Sequence, residues 1–137
     1  NKLDYLKLDT QGSELEILKG MGGYRPLLIR AEVHVNSMYK NVPSWGSLLK
    51  FFNEINYMPC DWKSIGSHTT RIPAEMDMVF IPDFKTNLGK DLIINNEKKF
   101  TALMLIFGQL GLLKQICSDL KLDSIKEINN FEDRFFF

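Results

Sequence analysis

The chain of 137 residues is long enough for one domain with a hydrophobic core and too short for two ordinary ones. Apolar residues make up 45% and charged residues 25%, which excludes a disordered chain. Seventeen basic residues balance seventeen acidic ones, so the net charge does not favour binding to nucleic acid or to an acidic membrane surface.

Cysteine content and the longest apolar run indicate the compartment. The chain has two cysteines, Cys60 and Cys117, too few for a disulfide framework, and this favours a reducing compartment. The most apolar run, Leu103 to Leu113, contains two glycines and is shorter than the ~20 residues that span a bilayer. We therefore predict a cytoplasmic protein that does not associate with a membrane.

The first elements alternate between strand and helix. The apolar run Leu3–Leu8 predicts a strand that ends at the turn residues 9–12. Ser13 and Glu16 have the spacing of a capping box, which predicts a helix of about two turns that ends near Gly20. Since the chain begins directly in a strand, we expect it to be a fragment of a longer domain.

The middle of the chain continues the alternation. Leu27–Val33 predicts a buried strand, and Ser44 is the expected cap of an amphipathic helix that follows it. Tyr57–Trp62 predicts a strand near a sheet edge because it contains a proline, and residues 63–73 predict a polar loop. Met76–Ile81 predicts a last strand. The alternation predicts an α/β fold with a parallel sheet, and this last strand can enter antiparallel because the loop before it is too short for a helix.

The C-terminal region, residues 85–137, is predicted to be a helical extension of the domain formed by residues 1–84. Residues 86–99 predict a polar stretch, and Phe100–Leu122 predicts one long helix with an apolar seam. The seam repeats every seven residues, in two series: Leu103, Leu110 and Cys117, and Ile106, Leu113 and Leu120. The seam either packs on its own domain or forms a homodimer through Leu103–Leu120. The terminal residues Phe135–Phe137 are expected to be covered by a partner or a groove.

Three residues are candidates for proton transfer. In open α/β sheets, ligands bind outside the carboxyl ends of parallel strands. Asp9 follows the first strand, and Glu32 and His34 lie near the end of the second, so we expect them to face one crevice and to accept or position a substrate proton. Structural alternatives remain open: Asp9 caps the turn before Ser13, Glu32 pairs with Arg30 or Arg71, and His34 is an ordinary loop histidine.

Other chemical motifs are not predicted. The glycines between Gly20 and Gly23 follow a helix, whereas a phosphate-binding loop follows a strand. The two histidines, His34 and His68, and the two cysteines lack metal-ligand spacing, so no metal site is predicted.

The segment Tyr5–Gly20, YLKLDTQGSELEILKG, resembles the mid-domain signature of FkbM-type methyltransferases, class I enzymes that depend on S-adenosylmethionine (AdoMet). Later blocks, Leu28–Val33, Tyr39 and Asp77–Ile81, are similar to later blocks of that family and occur in the same order. The resemblance covers about Leu3 to Pro82.

The resemblance implies a seven-stranded Rossmann-like sheet with an antiparallel last strand, of which this chain is the C-terminal half, strands four to seven. The glycine-rich loop and the ribose-binding acidic residue of the donor site would lie in the other half. The resemblance further implies AdoMet-dependent O-methylation of a hydroxyl on a sugar, glycan or secondary metabolite. The resemblance places Asp9, Thr10 and Gln11 near the donor, and Glu14 and Glu32 are similar to recurrent acidic positions of the family. The catalytic roles expected of Asp9, Glu32 and His34 follow from their placement at the strand ends alone, and Glu14 and Tyr39 are expected near the substrate. A divalent metal at Asp9 is an alternative, and the metal-free version is preferred.

A second hypothesis is a non-catalytic half-domain that serves as an interaction or oligomerisation module. The sheet edge left by the missing strands, the Leu103–Leu120 seam and the terminal phenylalanines would supply its contacts.

Overall fold

The structure is a computed structural model that describes residues 3–37, 40–66 and 74–135. Its elements in chain order are β1 (Tyr5–Leu8), α1 (Glu14–Gly20), β2 (Leu28–His34), α2 (Trp45–Glu54), β3 (Tyr57–Gly66), β4 (Glu75–Pro82), α3 (Asn87–Ile94), α4 (Glu97–Ile106), α5 (Leu110–Leu120) and α6 (Ser124–Phe135). The chain divides into two compact units, residues 1–83 and 84–137. The first unit contains the four strands with α1 and α2, and the second contains the remaining helices.

The first unit is an α/β unit built on a mixed four-stranded sheet in the order β1-β2-β4-β3. β1 and β2 are parallel, whereas β4 is antiparallel to both β2 and β3. The prediction that the last strand enters antiparallel is therefore confirmed. β3 lies at the edge of this sheet, as predicted from Pro59. Proline has no N–H group to donate to a neighbouring strand, and it is therefore tolerated best in a strand that has a neighbour on one side only.

Side chains alternate along each strand, so the two faces of the sheet carry different residues. One face of β2 and β4 is apolar and lies in the core: Ile29, Ala31, Val33, Met78 and Phe80. α2 packs on this face, where Phe52 stacks on Phe80 with ring centroids 3.7 Å apart. The alternate positions of the same strands carry Arg30, Glu32, His34, Glu75 and Asp77. We call the face formed by these five residues the polar face.

Two helix caps were predicted, and the structure confirms one of them. The Ser44 side chain accepts a hydrogen bond from the N–H of Ser47, so this predicted cap of α2 is confirmed. The capping box at Ser13 is wrong, because Ser13 makes no capping hydrogen bond and Glu16 pairs with Lys19 instead. The neighbouring Glu14 accepts hydrogen bonds from backbone N–H groups of the turn.

β3 is longer than predicted. It extends to Gly66, so residues 63–66 belong to the strand and not to the predicted loop. Strand β3 pairs with β4 over this length, and the register has two irregularities, between Pro59 and Asp61 and between Ser64 and Gly66, at each of which β3 has one extra residue. Residues 67–73 of the predicted loop lie outside the described residues.

Two predictions for the second unit are wrong. The predicted polar stretch 86–99 contains the short helix α3, capped by the Thr86 hydroxyl, which accepts a hydrogen bond from the N–H of Gly89 at 3.1 Å. The predicted long helix is two helices, because α4 ends before Gly108, whose φ of +70° is incompatible with a continuing α-helix. The seam of one helix from Leu103 to Leu120 does not exist, and Ile106 in that series is 76% exposed.

The expectation that the terminal phenylalanines are covered by a partner or a groove stays a prediction, because the side chain of Phe135 and residues 136–137 lie outside the described part. Among the residues described, every helix is too short or too polar to pass through a bilayer.

Candidate functional site

The loop between β1 and α1 is shaped by Glu14. The Glu14 Oε1 atom accepts hydrogen bonds from the backbone N–H of Thr10 at 2.8 Å and from its hydroxyl at 2.9 Å. The Oε2 atom accepts from the backbone N–H of Gly12 at 3.0 Å. Since the Glu14 residue is 1% exposed, these contacts occupy a buried carboxylate, and they fix the loop relative to the first turn of α1. The predicted contact of Glu14 with substrate stays a prediction.

The same loop requires unusual backbone angles. Gln11 has a φ of +57° and Gly12 a φ of +121°, both in the region that L-residues rarely adopt. A Cβ atom at Gly12 would lie 3.0 Å from Cγ2 of Val42. Glycine is therefore needed at position 12 both for the backbone angle and for the close approach of Val42.

Gln11 joins this loop to the neighbouring strand. Its side-chain Nε2 donates a hydrogen bond to Oε1 of Glu32 at 2.8 Å, across 21 residues of sequence. β1 and β2 are adjacent and parallel, which places the loop after β1 beside the carboxyl end of β2. The alternative that Glu32 pairs with Arg30 is wrong, because Arg30 forms its ion pair with Asp77. Arg71, the other alternative, lies outside the described residues.

The Glu32 carboxyl lies in an environment that disfavours its charge. Burial raises the pKa of Glu32 above its ordinary value, and the negative charges of Glu75 and Asp9 raise it further. A carboxylate with a raised pKa binds a proton more strongly than an exposed glutamate, so Glu32 is suited to accept one from a substrate.

His34 is the last residue of β2 and is 1% exposed, so the alternative of an ordinary loop histidine is wrong. It lies opposite Glu75 of β4 in the strand register. The His34 Nδ1 atom is 3.7 Å from Oε1 of Glu75, which is too far for a hydrogen bond. Within the described part of the chain, neither ring nitrogen of His34 has a hydrogen-bond partner. A buried imidazole in this state is unusual and requires an explanation.

Asp9 differs from the other candidates because it is exposed. Its carboxylate forms an ion pair with Lys7, with a distance of 3.1 Å between Nζ and Oδ2. The N–H groups of Thr10 and Gly12 in the following turn are bound by Glu14, so the expectation that Asp9 caps this turn finds no support there. Tyr39 lies outside the described residues, and its predicted contact with substrate remains a prediction.

Sequence reasoning missed Glu75. One ligand atom from each of Glu32, His34 and Glu75 lies within 4.8 Å of the other two. The alternation of Glu75, Met76, Asp77 and Met78 along β4 indicates that the acidic residues share a face. However, the register of β4 against β2 was needed to place Glu75 opposite His34.

A comparison with protein families bears on this region. Residues 1–59 match the methyltransferase FkbM domain. The match confirms the resemblance to this family and supports a methyltransferase. It includes Asp9, Gln11, Glu14, Glu32 and His34, and it ends within β3. The block 77–81 of the resemblance and Glu75 lie beyond the matched residues. Comparisons with curated proteins and with solved structures found no significant match.

Proposed function

We propose that the intact protein is an AdoMet-dependent O-methyltransferase that acts on a hydroxyl of a sugar, glycan or secondary metabolite. We further propose that this chain carries the C-terminal half of a class I, Rossmann-like domain. The FkbM match over residues 1–59 supports the reaction class. The adjacent parallel strands β1 and β2, together with the antiparallel last strand β4, support the half-domain.

The loop after β1 fits one part of the donor. Asp9 and Gln11 are exposed there, so a carboxylate and an amide can face the positively charged sulfonium. The N–H and hydroxyl of Thr10 are bound to Glu14, which leaves Thr10 a supporting role in the loop. AdoMet, when bound, supplies a methyl group that is already activated for transfer. The residues of this chain therefore have to orient the acceptor and remove its proton.

Glu32 carries the proposal. Gln11 holds its carboxylate at the carboxyl end of β2, and its pKa is raised by burial. We assign to Glu32 the role of accepting the proton of the substrate hydroxyl, with Asp9 contributing negative charge near the donor. Glu14 maintains the loop that presents both Asp9 and Gln11.

The test uses the intact protein, AdoMet and a panel of sugars, glycans and hydroxylated metabolites, with S-adenosylhomocysteine formation as the readout. Glu32→Gln is expected to lower turnover by about 10²- to 10⁴-fold, the usual contribution of a general base. Glu16→Gln is the matched control, because Glu16 is exposed on α1 and pairs only with Lys19 among the contacts described. Normal turnover in both Asp9→Asn and Glu32→Gln would reject the assignment, and absence of methyl transfer to every hydroxyl acceptor would reject the reaction class.

A further inference from the structure

The polar face contains a cluster of three potential metal ligands at the end of the β2–β4 pair. Glu32 and His34 are two residues apart on β2, so their side chains lie on the same side of the sheet. Glu75 lies opposite His34 on the antiparallel strand β4 and joins them from the neighbouring strand. Two strands with a defined register thus hold all three residues.

Burial of the imidazole makes this cluster different from an ordinary group of surface acids. His34 is 1% exposed, and neither Nδ1 nor Nε2 has a hydrogen-bond partner among the described residues. A buried polar atom without a partner destabilises the folded state, so some further interaction is needed to compensate it. Glu75 is too distant, at 3.7 Å, to satisfy Nδ1 by a hydrogen bond.

We propose that Glu32, His34 and Glu75 bind one divalent first-row transition-metal ion, with Zn²⁺ as the test ion. The three ligand atoms lie within 4.8 Å of one another. In tetrahedral geometry, metal–nitrogen and metal–oxygen bonds of about 2.0–2.2 Å place the ligand atoms roughly 3.3–3.6 Å apart, a contraction that rotation of the carboxylates can provide. An imidazole with two carboxylates suits a transition-metal ion better than Ca²⁺ or Mg²⁺, which prefer oxygen ligands alone.

The surroundings of the cluster support this assignment. Gln11 donates a hydrogen bond to Oε1 of Glu32, the kind of outer contact that orients a carboxylate ligand. The Glu75 and Glu32 carboxylates repel each other, and a bound cation would remove that repulsion. A carboxylate bound to a metal ion cannot also accept the substrate proton, so the role proposed above for Glu32 belongs to the metal-free protein. Ion binding itself is tested without any measurement of activity.

The experiment measures Zn²⁺ binding to the protein after treatment with a chelator, by calorimetry and by competition with a coloured chelator. We expect one Zn²⁺ per chain. Glu32→Gln, His34→Asn and Glu75→Gln should each weaken binding at least tenfold. Asp77→Asn, on the same face but paired with Arg30, is the matched acidic control, and His68→Asn controls for the other histidine of the sequence. Both controls should bind Zn²⁺ with wild-type affinity.

A second measurement needs no variant and so does not depend on how variants fold. In ¹⁵N spectra of the wild-type protein, Zn²⁺ should shift one imidazole nitrogen of His34 and leave the other bound to hydrogen. Co²⁺ should give visible absorption without the thiolate charge-transfer band that cysteine ligands produce. Absence of binding, equal affinity in all variants, or a His34 spectrum that Zn²⁺ leaves unchanged would overturn the proposal.

Discussion

Gln11 donates its side-chain N–H to Glu32 across the gap between the β1–α1 loop and β2, with a distance of 2.8 Å between Nε2 and Oε1. The donor has a left-handed backbone, with φ of +57°, and the acceptor is 8% exposed. This hydrogen bond therefore connects a turn with unfavourable backbone angles to a buried carboxylate. It holds the β1–α1 loop next to Glu32, the proposed proton acceptor.

Replacement of Gln11 tests that connection. Gln11→Ala removes a donor from a nearly buried carboxylate, and we expect a loss of about 1–3 kcal/mol in the free energy of unfolding. Urea denaturation measures this value. Gln115→Ala, at an exposed position of α5, is the matched control and should change stability by less than about 0.5 kcal/mol. Equal stability of the two variants would show that the hydrogen bond contributes nothing net.

Gly12 tests the geometry of the turn. Gly12→Ala must adopt a φ near +121° and bring its Cβ to 3.0 Å from the Val42 side chain, so we expect a loss of about 1–3 kcal/mol. Gly20→Ala is the control, because Gly20 ends α1 and a Cβ there meets nothing within 4 Å. This control should be neutral or more stable by up to about 1 kcal/mol. Thermal and urea unfolding of both variants would decide, and a neutral Gly12→Ala would contradict the described turn.

The raised pKa of Glu32 predicts a pH dependence of stability. The folded protein holds the Glu32 proton more tightly than the unfolded chain, so it carries more bound protons above about pH 4.3, the ordinary value for glutamate. Stability from this group is therefore present at low pH and is lost as pH rises through the raised pKa. Glu32→Gln cannot ionise, so its stability relative to wild type should increase between pH 4 and pH 7.

Urea unfolding at each pH, with a chelator present to exclude metal ions, measures the difference. Glu16→Gln is the control and should give a curve parallel to that of the wild type, because Glu16 is exposed. A Glu32→Gln curve that is also parallel to wild type would contradict the raised pKa.

Both thiols should react slowly in the folded protein. Burial, followed by the charge of Asp61, raises the pKa of Cys60 to about 12. Burial also raises the pKa of Cys117, which is fully buried. Since the thiolate is the reactive form, we expect little labelling by a thiol reagent at pH 7.5 and rapid labelling of both residues in denaturant. Fast labelling of the folded protein would show that at least one of the two thiols becomes exposed to solvent. The Cys60→Ser variant keeps only Cys117 and therefore identifies which thiol reacts.

Several elements follow from local sequence. The apolar runs of β1, β2 and β4 and the helical spacing in α2 were sufficient to predict these elements, and Ser44 correctly marked the start of α2. Asp9 and Glu32 could be selected as candidates because strand ends are visible in the sequence. The segment from Tyr5 to Gly20 also carried enough of a family signature to be recognised, and the match over residues 1–59 confirmed it.

Other features could not be read in this way. The spacing of Ser13 and Glu16 suggests a capping box, but Glu14 binds the turn because its side chain is folded into a buried position. The apolar periodicity from Leu103 to Leu120 continues through Gly108, although the backbone there turns to a positive φ and ends the helix. Periodicity records which side chains are apolar and does not report a local break in the backbone.

Local preferences and the order of elements are encoded in short segments, because caps, turns and side-chain alternation involve residues a few positions apart. The contacts of the candidate site have a different origin. Gln11 forms a hydrogen bond with Glu32, which is 21 residues away in the sequence, and Glu75 lies opposite His34 because of the register of two antiparallel strands. A shift of that register by one residue would turn Glu75 to the opposite face, so the cluster depends on strand pairing, which no local pattern specifies.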